Sequence, residues 1–278
     1  MKVVLFCGGL GTRLRDIPGG LPKPMVNIGI RPILWHIMKY YAHYGHKEFI
    51  LCLGYKADVV KQFFLSYDQH LSTDFTISNG STKMHKQESD IADWSITCVD
   101  TGLGSNIGQR LKAVEKYIEE DEYFLANYSD VLTDLPLPEM IEHFKNSDGI
   151  GCFLCVKPSQ SFSVVSIGEG EKVEKITYVR DTSIIINGGY FVFKKDIFRY
   201  ISDGEELVVE PFQKLIREKK LLGYKYEKFW HCMDTFKEQQ ELNDMFEHGE
   251  APWEVWKNNN TQEEGKLVEA GRAWAERV

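Results

Sequence analysis

Positive charge is in deficit in this 278-residue chain: 33 Lys and Arg stand against 41 Asp and Glu, a net of −8. That balance argues against general affinity for nucleic acid or for an anionic membrane surface. No apolar run approaches the roughly 20 residues that a membrane-spanning helix needs. Met1–Phe6 runs directly into a glycine-rich segment without a cleavage-type sequence, so a strand is expected there rather than a signal peptide. A zinc-protease pairing of the His-x-x-x-His or Glu-x-x-His type is missing, as is the Gly-x-Ser-x-Gly elbow of a serine hydrolase. Cys152 and Cys155 have redox or zinc spacing, but no second pair completes a site. They lie in a β pattern, and all six cysteines (Cys7, Cys52, Cys98, Cys152, Cys155, Cys232) are expected in apolar strands and cores. A reducing, cytoplasmic setting fits that usage.

What is present is an ordinary globular composition, 43% hydrophobic and 27% charged, without repeats or a Pro/Ser/Gly linker. One compact unit over 1–257 is expected, followed by a C-terminal arm at 258–278. Val3–Cys7 is apolar throughout, as for a strand covered on both faces. Pro32 opens a helix and Gly45 closes it, with Ile33, Ile37, Met38 and Tyr41 at helical spacing. Glu48–Leu53 reads as strand, Ala57–Leu65 as helix, Trp94–Val99 as strand, Gly108–Ile118 as helix and Tyr123–Asn127 as strand. The alternation predicts a parallel α/β sheet with helices on both faces. Ligands of such sheets sit beyond the carboxyl ends of the strands, where Gly8, Asp100 and Asp130 all fall. The second half reads as short strands joined by turns, a small β-rich insertion, then helices near Lys195–Ile201 and Val208–Lys219.

The chemistry-bearing segment follows the first strand: Cys7-Gly8-Gly9-Leu10-Gly11-Thr12-Arg13, then Pro22-Lys23-Pro24. Glycines leave backbone N–H groups open to phosphate, and Arg13 and Lys23 add fixed charge beside them. It is not a P-loop, because no Lys-Ser/Thr follows Gly11. Nor is it a dinucleotide fingerprint, because Leu14 stands where a small residue is needed and Pro18, Pro22 and Pro24 prevent an immediate helix. Asp130 follows a buried strand, and Asp234 sits in the aromatic run Phe229–Thr235. Two carboxylates converging near phosphates suit Mg²⁺. The residues equally allow Asp130 to cap a turn and Asp234 to cap the helix starting near Phe236. Asp100, with Thr101 and Gly102, is read as metal-side acid or simple turn. In the loop before the next helix, Ser105 is placed to approach a base or ribose and Arg110 a phosphate, or else the loop is an ordinary helix start.

Together, Gly8–Arg13, Pro22–Met25, Pro32–Met38, Gly54–Lys56, Val99–Gly102, Gly108–Lys112, Tyr128–Asp130, Ile186–Gly189, Phe229-Trp230 and Met233–Thr235 resemble the sugar-phosphate nucleotidyltransferases. The likeness runs from Met1 to about Trp256. Pro32–His36 and Ala251-Pro252-Trp253 point to the cytidylyl branch. The resemblance implies a glycosyltransferase-A-like α/β fold, with a mixed, mainly parallel sheet. It implies that CTP and glucose 1-phosphate give CDP-glucose and pyrophosphate with Mg²⁺, in a homo-oligomer. By the same likeness Cys7–Arg13, Lys23, Ser105, Arg110 and Ser129 hold the nucleotide, and Asp130 and Asp234 the metal. Arg13, Lys23 and Asp130 are then catalytic, and Asn187 and Gly188 lie near the sugar. The chain departs from the family at Leu21, Val131 and Tyr178–Thr182, the last standing where a Glu-Lys-Pro element grips the sugar phosphate. Arg180 is the candidate substitute. Another nucleotide, another phosphorylated acceptor, or a binding module without turnover are the alternatives.

Overall fold

The computed structural model describes residues 1–9, 20–67, 74–85, 89–159 and 162–257. In chain order the elements begin β1 (Val3–Phe6), β2 (Asn27–Ile28), β3 (Arg31–Pro32), α1 (Ile33–His43), β4 (Glu48–Leu53), α2 (Ala57–Leu65), β5 (Asp74–Ser78), β6 (Ser81–His85) and β7 (Ser95–Asp100). Next come α3 (Ile107–Ala113), β8 (Tyr123–Asn127), β9 (Val131–Thr133), α4 (Leu137–Lys145), β10 (Gly151–Val156), β11 (Ser163–Ile167) and β12 (Val173–Tyr178). The remainder is β13 (Ile186–Lys194), α5 (Glu210–Arg217), β14 (Leu221–Lys225), β15 (Trp230–Cys232) and α6 (Phe236–Glu247). Among the described residues no helix is long and apolar enough to cross a membrane.

Seven strands form one sheet in the order β14-β10-β13-β8-β1-β4-β7. β1, β4, β7 and β8 run parallel, while β13 is antiparallel to both β8 and β10. The carboxyl ends of the four parallel strands therefore share one edge, as the alternation of elements requires. β1 is buried on both faces because successive side chains enter different cores. Val3 and Leu5 pack with α1, α4 and α6, while Val4 and Phe6 pack with α3 and α5.

Three expectations need correction. Cys98 is exposed, because it stands on β7, the edge strand of the sheet. The expected helix Gly108–Ile118 is shorter: α3 ends at Ala113 and a 3₁₀ turn covers Glu115–Tyr117. Lys195–Arg199 is likewise 3₁₀ rather than α-helical. The arm at 258–278 lies outside the described residues.

Candidate active site

A cavity of about 460 Å³ opens at the carboxyl edge of the parallel strands. Phe6, Gly9, Lys23, Ser105, Tyr128, Ser129, Asp130 and Asp234 are among its walls. Its size falls within the range of small-molecule sites.

A short ribbon brings the two acids together. β9 and β15 pair antiparallel, with Val131 opposite Cys232 and Thr133 opposite Trp230. Asp130 thus lies one residue before one strand and Asp234 two residues after the other, and the Met233 N–H donates to the Asp130 carbonyl at 2.9 Å. Met233 is fully buried and anchors the turn. Asp234 is not the cap of α6. Thr235 is, its hydroxyl accepting from the Glu238 N–H while the Glu238 carboxylate accepts from the Thr235 N–H.

Lys23 completes the group from the 3₁₀ turn Lys23–Met25, which is fixed by Pro22 and the buried Pro24 and Met25. Its ammonium donates to Asp130 Oδ2 at 2.5 Å and to Asp234 Oδ1. Burial by itself lowers the lysine pKa, but the two carboxylates outweigh it and hold the ammonium above its ordinary value. It is a cation at neutral pH.

Other expected nucleotide contacts fall differently. Cys7 is turned into the core, 1% exposed, with its thiol 3.4 Å from the Ser129 hydroxyl and pushed up to about 12 by burial. Its N–H already donates to Cys52, so it is not a cavity wall. Ser129 lines the cavity, fully buried, with φ of 66° maintained by its N–H to Asn127 Oδ1 at 2.7 Å. Left-handed backbone at a serine is a strained position held by its surroundings. Ser105 also lines the cavity, its hydroxyl donating to the Thr101 carbonyl.

Arg110 is among the cavity walls, with its side chain tied to the backbone. The residue is 2% exposed, and its guanidinium donates to the carbonyls of Leu53 (3.1 Å) and Gly8 (2.9 Å) and to Thr101 Oγ1 (2.7 Å). One side chain thereby ties the ends of β1, β4 and β7. Glycine at position 8 is what lets it do so, because a Cβ there would lie 2.0 Å from Arg110 Nη1. Asp100 makes a turn, accepting from the Gly102 N–H.

The sugar-side residues divide. Asn187 donates to the Tyr128 hydroxyl at 3.1 Å, behind the cavity, while lining a neighbouring apolar groove. Gly188 is buried, and its carbonyl accepts from Trp230 Nε1. Arg180 does not reach the cavity. It is exposed on a 3₁₀ turn following β12, in a hairpin that forms its own two-stranded sheet, its guanidinium 5.2 Å from the Tyr178 ring centroid. Leu10, Gly11, Thr12 and Arg13 lie outside the described residues. Sequence reading assigned no role to Tyr128 or Glu206, both cavity residues. Neither belongs to a pattern with recognisable spacing, although Tyr128 sits in the quoted Tyr128–Asp130 segment.

Two carboxylates held around one cation are also a donor set for a divalent ion. Among the described residues no cluster of three or more His, Cys, Asp or Glu exists to hold a metal. Mg²⁺ fits this set, since it needs one or two protein carboxylates and takes its remaining ligands from phosphate and water.

Parallel strand ends, a glycine-rich segment after β1 and a cation set between two acids are the features expected of a nucleotide-handling α/β protein. The nucleotidyl transferase family profile matches residues 2–238, and the chain belongs to that family. It is 37% identical over 257 residues to a glucose-1-phosphate cytidylyltransferase of Salmonella typhimurium, covering 92% of this chain and 100% of that protein. A solved UDP-glucose pyrophosphorylase in complex with UDP-glucose superposes with a TM-score of 0.65 at 15% identity, over 89% of this chain and 98% of that one. The inositol-1-phosphate CTP transferase of T. maritima gives 0.60 at 17% identity, over 87% and 94%. The fold is therefore the mixed, mainly parallel glycosyltransferase-A-like sheet that the sequence implied.

Proposed function

We propose that this enzyme joins CTP and glucose 1-phosphate to give CDP-glucose and pyrophosphate. The observation that carries the reading is the Lys23–Asp130–Asp234 group at the mouth of a nucleotide-sized cavity. The 37% identity to a cytidylyltransferase across nearly the whole chain supports the choice of nucleotide and acceptor.

A phosphate oxygen of glucose 1-phosphate attacks the α-phosphorus of CTP. The new O–P bond forms as the bond to the bridging oxygen breaks, and pyrophosphate leaves with that electron pair. A phosphate oxygen is already anionic at neutral pH, so no general base is required. The difficulty lies in bringing two anions together. Positioning supplies roughly 7–11 kcal/mol of such barriers. Lys23 is oriented by the two acids for phosphate contact, and Arg13 is assigned to the departing pyrophosphate. Asp130 and Asp234 are the residues that hold Mg²⁺, which supplies charge neutralisation between phosphates when bound.

The test is a panel of CTP, UTP, GTP and ATP with glucose 1-phosphate and Mg²⁺, read by pyrophosphate release and product mass. CTP should give equimolar pyrophosphate and CDP-glucose. Binding of CTP without any pyrophosphate, with any sugar 1-phosphate, would instead make the chain a nucleotide-binding module.

A further inference from the structure

Among its walls the cavity carries a carboxylate, that of Glu206, which the reaction above does not use. In a site for a triphosphate this is costly unless the acid faces a donor, since it repels phosphate at any distance it can reach. Its place is fixed by the fold. The Glu205–Leu207 backbone lies against α3 where Gly108 leaves room, since a Cβ at Gly108 would be 2.1 Å from the Glu205 carbonyl. Asn106 Nδ2 donates to the Gly204 carbonyl at 3.0 Å, Glu205 is paired with Lys214 at 2.7 Å, and Leu207 is fully buried. Glu206 between them is held at the cavity wall rather than on a wandering loop.

Its carboxylate has little to satisfy it there. Oε2 receives the Ile107 N–H at a long 3.4 Å, and among the described residues no cation pairs with it. Arg110, in the same wall, is already committed to the ends of three strands. Tyr128 across the cavity is held protonated, first by its own burial and then by the nearby Glu206 charge, and its hydroxyl already accepts from Asn187. A nucleotide offers donors to such a group at the ribose hydroxyls, at a ring N–H such as uracil N3–H and at an exocyclic amine of the base, and glucose 1-phosphate offers its hydroxyls. Cytosine carries an amine at the position where uracil carries a carbonyl oxygen.

We propose that Glu206 selects the base, its carboxylate accepting a hydrogen bond from the cytosine exocyclic amine and repelling the uracil carbonyl at the same position. The surrounding wall of Ser105, Asn106 and Ile107 meets the same end of the nucleotide. This assignment rests on the reading that the cavity takes a pyrimidine nucleoside triphosphate.

Two measurements on wild type and Glu206→Gln separate the assignment from that reading: kcat/KM for CTP and UTP with glucose 1-phosphate, and calorimetric binding of CMP and UMP. Glutamine can turn either its carbonyl or its amide to the base, so the CTP-over-UTP ratio should fall by about ten- to a hundredfold. The CMP-over-UMP ratio should fall with it. Circular dichroism and an unchanged melting transition show that the variant is folded, and Glu206→Asp, which keeps the acid, should retain part of the preference. Equal losses for cytidine and uridine nucleotides, as a ribose contact would give, overturn the assignment. So does an unchanged ratio, or a wild type that binds UMP as well as CMP. Absence of turnover with intact, Glu206-dependent CMP preference would overturn the enzyme reading and leave the base assignment standing.

Discussion

Asp130 and Asp234 share one ammonium. Lys23 donates to both, from a turn far from either acid in the chain. Because the same carboxylates are the proposed ligands of Mg²⁺, Lys23 and the ion would be alternative or adjacent occupants of one electrostatic well. Replacing Lys23 with Met removes the cation that relieves the repulsion between the acids. Turnover should drop about 10²–10³-fold, the scale of losing one preorganised donor. Mg²⁺ should raise the melting temperature of the variant more than that of wild type. Near-normal turnover in a folded K23M protein would remove the lysine from the mechanism.

Arg110 is expected to matter for stability before it matters for ligand. Arg110→Met removes three guanidinium bonds, to the carbonyls of Gly8 and Leu53 and to Thr101 Oγ1, while Gly8 keeps the Tyr55 N–H and Leu53 the Thr101 N–H and hydroxyl as donors, so the loss is about 0.5–1.5 kcal/mol for each bond. Urea denaturation should show a loss of about 3 kcal/mol. Gly8→Ala should give a loss of the same order, because the added methyl overlaps the guanidinium. Wild-type stability in both variants would mean that the strand ends do not depend on this tie.

The cap of α6 and its neighbouring acid should separate cleanly. Thr235→Ala removes the capping hydroxyl and should cost about 1 kcal/mol in chemical denaturation with little change in kcat. Asp234→Asn leaves the capping box intact and should abolish most turnover with little change in stability. The reverse pattern would return Asp234 to a purely structural role.

His36 should give the protein an acid limb. The ring is fully buried, its Nε2 bonded to the Ile28 carbonyl and its Nδ1 accepting from Trp253 Nε1. Nδ1 accepts, so Nε2 carries the proton and the ring is neutral. Burial lowers its pKa from 6.5 to about 4. The unfolded chain therefore takes up a proton between about pH 6.5 and pH 4 that the folded chain refuses. Stability is full above that window and falls as pH drops through it, by about 3 kcal/mol. His36→Gln should flatten the slope of the urea midpoint between pH 7 and pH 4.5. An unchanged slope would assign the acid limb to other groups.

Much of the sheet was legible because its central strands are buried on both faces. Glu48–Leu53 and Tyr123–Asn127 are observed at the expected boundaries, as is helix Ala57–Leu65. Exposure at an edge is set by strand order, which local pattern does not carry, and Cys98 shows it. The ribbon that joins Asp130 to Asp234 was equally hidden. Its strands are three residues each and pair across nearly a hundred positions, too short for periodicity to register. The family resemblance suggested Arg180 for the sugar phosphate, yet it stands exposed on a 3₁₀ turn after β12 and is not among the cavity walls. Arg110 was legible as a charge beside the cavity, for a phosphate or for an ordinary helix start, but the carbonyls that surround it were not.

The central claim is that Asp130 and Asp234 act as one unit in nucleotidyl transfer. Its most direct measurement is the rate of CDP-glucose formation by Asp130→Asn, Asp234→Asn and the double variant, each confirmed folded. If the two acids hold one ion, either single change should remove nearly all the rate and the double change should add little. A single variant that still forms CDP-glucose at close to the wild-type rate would contradict the account.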